Sequence, residues 1–83
     1  MNPDEVLARI EELEQRVTAL RKQEAAAEAE GAVPDDAAAA ARALQTELDG
    51  LWDLRRRQDA ARTAGAAVPT DVRPPGTVGG YQQ

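Results

Sequence analysis

The stretch Ala43-Leu44-Gln45-Thr46-Glu47-Leu48-Asp49-Gly50-Leu51-Trp52-Asp53-Leu54-Arg55-Arg56-Arg57 holds the only tryptophan and the densest run of leucines in the chain. Ala41, Leu44, Leu48 and Leu51 recur at spacings of three and four, the period of one face of an α-helix rather than of a strand. That face needs a second helix against it. Two residues do not fit the seam. At 100° per residue Leu54 lies well to one side of the leucine line and Trp52 to the other, so one helix-helix contact cannot bury both flanks. A tryptophan at helical spacing from Leu48 nonetheless reads as core more readily than as a ligand platform. Gly50, in mid-helix, costs roughly 1 kcal/mol relative to alanine. Its lack of a side chain is open to two readings: drift without a role, or a close contact beside Leu54 with the tail or a partner.

The partner helix lies upstream. Asn2, Pro3 and Glu5 supply an N-cap, a proline at the first helical position and a capping-box acid. Val6, Ile10, Leu13, Val17 and Leu20 then follow at alternating spacings of four and three, the period of a coiled-coil seam, with Leu7 widening the stripe at its start. Glu5 with Arg9 and Glu12 with Arg16 are placed for i,i+4 ion pairs on the opposite face. The apolar stripe fades into Ala25-Ala26-Ala27, and Gly31 suits a helix stop. Val33-Pro34-Asp35-Asp36 suits a new start, and the alanines from Ala37 to Ala41 are strong helix formers that begin the second helix. Gly65 suits its end.

The expected architecture is an all-α antiparallel hairpin spanning 1–65, with one helix over about 3–29, a turn over about 30–34 and a second helix over about 35–64. Two long helices joined by so short a turn must run antiparallel. Residues 66–83 are rich in proline and glycine and are expected to be extended or disordered. The spaced apolar residues Val68, Val72, Val78 and Tyr81 leave docking of this tail on the hairpin open.

Folding the hairpin on paper puts Leu20 opposite Leu44, Val17 opposite Leu48, and Leu13 opposite Leu51 and Trp52. One rung further, Val6, Leu7 and Ile10 come opposite Arg55, Gln58 and Asp59 and lack apolar partners. Arginine stems, the returning tail or a second hairpin, giving a four-helix bundle, are the available covers. Val6, Leu7, Ile10, Trp52, Leu54 and Tyr81 are therefore the candidate interaction surface.

At 83 residues the chain is at most one small domain, below the size at which a single core is comfortably self-sufficient. A homodimer or another protein partner is expected. With no cysteine or histidine there is no disulfide, no thiolate or imidazole metal ligand and no catalysis built on those groups. The carboxylates lie on solvated helix faces, and Thr18, Thr46 and Thr63 have no base arranged around them. Gly76-Thr77-Val78-Gly79-Gly80 follows no strand and opens no helix, so no phosphate loop is present. Neither an enzyme, a cofactor, a metal nor a small-molecule ligand is expected. The acidic start has no apolar run after it, so no signal peptide or membrane span is read and a cytoplasmic location is the default.

The formal charge of -5 argues against general nucleic-acid binding, which rests on neutralising phosphates. Arg55, Arg56, Arg57 and Arg62 form the main basic concentration. They also sit toward the negative end of their helix, with Asp53 and Asp59 in pairing reach. Glu28, Glu30, Asp35 and Asp36 cluster at the turn, where carboxylates either form an acidic prong or hold a divalent cation; the plainer reading is a solvated turn whose aspartates favour the helix start.

Glu47 to Arg57, with Val72-Arg73-Pro74 and Gly80-Tyr81-Gln82-Gln83, resembles the small bacterial proteins grouped as the domain of unknown function 2630 family. Val6-Leu7-Ala8-Arg9-Ile10 and the proline-led start of the second helix are similar too, so the resemblance spans essentially the whole chain. The alanine-rich opening of the second helix departs from the more charged, leucine-containing segment of that family. The resemblance implies no activity and supplies no site residues. It does imply that the tail belongs to the domain.

The functional expectation is a non-catalytic interaction or scaffolding module. The alternative is a nucleic-acid, ribonucleoprotein or transcription accessory factor that uses the Arg55–Arg57 run or the acidic tip.

Overall fold

A computed structural model of the chain describes residues 1–32 and 35–74. Helix α1 runs Pro3–Ala29 and α2 runs Asp35–Ala64, packed side by side in a body 54 × 29 × 15 Å. The least dimension is little more than one helix diameter.

Local chemistry accounts for the ends. The Asn2 side chain accepts from the Glu5 N–H at 2.8 Å, while the Glu5 carboxylate accepts from the Asn2 N–H at 3.0 Å. This reciprocal box satisfies two donors that the first turn would leave orphaned. Both helices stop in the same way. Ala32 N–H reaches back to Ala27 O at 2.9 Å and Gly31 N–H to Glu28 O at 3.0 Å; Ala66 N–H bonds Ala61 O at 2.8 Å and Gly65 N–H bonds Arg62 O at 3.2 Å. These are Schellman closures, which require left-handed backbone at the glycine, and Gly31 and Gly65 have φ of 79° and 70°. Asp35 and Asp36 occupy the first turn of α2, where negative charge complements the helix dipole. Val33 and Pro34 lie outside the described residues.

The core is one continuous cluster: Val6, Ile10, Leu13 and Val17 from α1 with Leu48, Leu51 and Leu54 from α2, and half-buried Leu44 against its edge. Each such side chain contributes roughly 1.5–3 kcal/mol on burial. The three-and-four spacing thus gives the two-helix fold that it predicts. The last rung differs from the paper hairpin, because Val6, Ile10 and Leu54 are wholly buried rather than bare. The surface ion pairs also differ in part. Glu12 and Arg16 pair at 3.1 Å, but Arg9 reaches across the seam to Glu47 at 2.8 Å and along α1 to Glu12 at 3.0 Å, while Glu5 is engaged at the helix cap.

Candidate interaction surface

After Gly65 the chain turns back and runs along α2 toward its N-terminal end. A stripe of α2 residues at helical spacing, Gly50, Asp53, Leu54, Arg57 and Gln58, receives it. Gln58, 1% exposed, donates both amide hydrogens, to the carbonyls of Pro69 and Met1, each at 3.0 Å. Two carbonyl acceptors fix which way that amide points. Its Oε1 is buried with no donor among the described residues. The Met1 amino group donates to Thr70 O at 2.6 Å, and Arg57 Nη2 donates to Asp71 O at 2.7 Å. One strap thereby holds the start of α1, the last turns of α2 and residues 69–73 together.

Its anchor is electrostatic. Asp53, 4% exposed, takes Arg73 bidentately, Nε to Oδ2 at 3.0 Å and Nη2 to Oδ1 at 2.5 Å, and Arg57 Nε at 3.1 Å. A carboxylate so placed must be paired, since burial alone disfavours its charge. The hydrogen bonds from Arg73 hold the Asp53 carboxyl below its usual range, with Arg57 adding to the effect and burial opposing it.

Gly50 is where the strap comes closest. A Cβ built there would lie 2.9 Å from Val72 Cγ1, inside van der Waals contact, so of the two readings of this glycine the close approach describes the structure. With Pro69 and Val68 half-buried alongside, the strap covers the flank that carries Leu54. The returning tail is bonded to Met1 and Gln58 at the end of the seam where Val6 and Ile10 are buried.

The opposite flank stays open. Trp52 is 38% exposed and Leu7 39%, and at 100° per residue both lie on the side of the seam away from the strap. The reading of Trp52 as core therefore fails. Two helices leave one flank unburied, and Leu54 holds the covered one. The Arg55 guanidinium sits 5.8 Å from the Trp52 ring centroid, in cation-π range. The four arginines do not act as one patch: Arg57 serves Asp53 and the strap, Arg62 pairs with Asp59 at 2.8 Å, Arg55 leans on Trp52, and Arg56 is exposed.

Of the candidate surface, then, Leu7 and Trp52 are exposed, and Val6, Ile10 and Leu54 are interior. Tyr81 lies outside the described residues. Spacing placed Asp53 within reach of Arg57, as observed, and Gln58 on the open rung, but it missed Arg73 and the cluster that the three form; the sequence signal for Arg73 was the Val72-Arg73-Pro74 element beyond the last helix.

Nearer the turn, the same face that carries the strap has an open apolar groove of about 500 Å³ between the helices, lined by Arg16, Ala19, Leu20, Ala40, Ala43 and Leu44. The acidic residues of the tip, Glu28, Glu30, Asp35 and Asp36, are exposed. Among the described residues no group of three or more acidic side chains is arranged to hold a metal ion, and no helix is long and apolar enough to cross a membrane.

Compared with known proteins, residues 2–83 match the model of a family described as protein of unknown function. No curated protein and no solved structure matches the chain.

Proposed function

The chain belongs to that family, DUF2630, and on this premise we propose that it is a non-catalytic protein-protein interaction module that presents the Leu7–Trp52–Arg55 face of a strapped helical hairpin to a second copy or to another protein. The observation that carries the reading is the tryptophan itself. In a chain with two aromatic residues, Trp52 stands 38% exposed under an arginine, the residue types that dominate binding hot spots. A rigid two-helix face beside it supplies the pre-organisation that lowers the cost of association.

The nucleic-acid alternative draws less support. Arg57 and Arg62 are committed to Asp53 and Asp59, which leaves little charge to neutralise phosphates.

The test is solution mass by light scattering over a concentration series, with capture from a native lysate, on the wild-type chain and on Trp52→Ala. Self-association or capture of a defined protein that Trp52→Ala abolishes, with thermal stability unchanged, is the expected result. A wild-type monomer at every concentration that captures nothing in a Trp52-dependent way overturns it, and tight salt-sensitive RNA binding would favour the alternative.

A further inference from the structure

We propose that the apolar groove near the turn is the seat of this chain's own residues 75–83, with the Tyr81 ring as its main occupant, so that the strap continues along the hairpin.

Direction and position come first. Gln58 holds Pro69, and Gly50 meets Val72, so the strap travels toward lower numbers on α2. Ahead of it on that helix are Leu44, Ala43 and Ala40. Ala43 precedes Gly50 by seven residues, two turns of helix, which puts it about 20° off the same line and about 10 Å further along. The groove therefore lies in the path of the chain leaving Pro74. Reach is ample: the nine residue-to-residue steps from Val72 to Tyr81 span up to about 30 Å when extended.

Chemistry selects the occupant. Val78 and Tyr81 are the large apolar side chains of residues 75–83. The groove is lined by Leu20 and Leu44 and by Ala19, Ala40 and Ala43, side chains small enough for a glycine-rich backbone such as Gly79-Gly80 to approach closely. The one charged group of the lining is Arg16. A tyrosine fits both characters, with its ring on the leucines and its electron-rich face and hydroxyl toward a guanidinium. The alanine-rich opening of α2 then has a purpose: leucines there would fill the space. The groove lies on the face opposite Trp52, apart from the proposed partner surface.

Tyr81 is the sole tyrosine, so its ring resonances in an NMR spectrum need no assignment. In the full chain at high dilution the ring is expected to show nuclear Overhauser contacts to the Leu20 and Leu44 methyls. Tyr81→Ala is expected to lower hydrogen-exchange protection of the amides flanking Leu20 and Leu44 about tenfold, the lower end of what burying an aromatic ring implies, while Trp52→Ala leaves it unchanged. A sample mixed from labelled and unlabelled chains separates the possible occupants. Contacts confined to one chain support the assignment. Contacts only between chains, which would make the groove a seat for a second copy, or no contacts at all, overturn it.

Discussion

The two halves of this hairpin share the same pair of helices and the same three-and-four spacing, yet they are finished differently. In the half that holds the start of α1, Val6, Ile10, Leu13, Leu51 and Leu54 are all but inaccessible, and residues 69–73 lie across them. Toward the turn the seam is carried by Leu20 and Leu44, both only half-buried, among alanines. Helix formation explains neither difference, since alanine is the better helix former. What differs is the third element. Two helices make one layer, a layer has two faces, and a core needs something on a second side. Here a segment without regular structure does that work, through a buried ion pair and backbone carbonyls.

Cavity mutations should register this contrast most strongly. Ile10→Ala or Leu51→Ala is expected to cost about 2–5 kcal/mol in urea unfolding, and Leu44→Ala less, because its side chain is only half-buried against the core. Equal losses would erase the distinction between the halves. Next in size is the anchor. Arg73→Ala should cost about 1–3 kcal/mol, the desolvation penalty of a buried acceptor left without its partner, and should also change the pH dependence. Asp53 has a depressed pKa in the folded state, so its contribution is complete above the unfolded carboxyl value and is lost as the pH falls through the folded one. Wild type should therefore lose stability below a pH of about 3.9, and Arg73→Ala should lose less over that window. Parallel acid titrations of the two proteins would show that the strap does not depend on this pair.

A smaller effect carries a sign. In a chain cut after Gly65, Gly50→Ala should add roughly 1 kcal/mol through helix propensity. In the intact chain the new methyl meets Val72, and the gain should vanish or reverse. The same gain in both backgrounds, read from urea midpoints, would mean that the strap does not rest on Gly50. Smallest of all is Arg62→Ala, which removes an exposed pair with Asp59 and is expected to shift stability by a few tenths of a kcal/mol; a larger loss would point to an uncounted role at the end of α2.

Most of the fold was legible in the chain because its signals are local. Asn2-Pro3 and Glu5 make one cap, Gly31 and Gly65 mark two stops, and the leucine line fixes which faces meet. Even the shortage of apolar cover around Ile10 could be counted. The strap was only half legible: Asp53 could be paired with Arg57 and Gln58 placed on the open rung, but nothing local shows that Arg73, twenty residues from Asp53, joins them in one hydrogen-bonded cluster. Trp52 misled by its size: a large aromatic ring near a leucine seam suggests an interior position, but its angle on the helix decided the matter, and Leu54 holds the covered flank.

The bonds made by Gln58 also bear on time. They join residues 57 positions apart to a segment only 11 away, whereas the hairpin closes from its turn through near neighbours. The bonds that tie Met1 to Gln58 and to Thr70 span 57 and 69 positions, and long loops close late, so the junction of the strap with the start of α1 should form last, after the folding barrier is passed. Contacts that form beyond the barrier slow the reverse step and leave the forward one unchanged. Cutting the strap should therefore appear in a denaturant chevron as faster unfolding at an unaltered folding rate. For a molecule with so little interior, the strap is then chiefly a device that prolongs the life of the folded state.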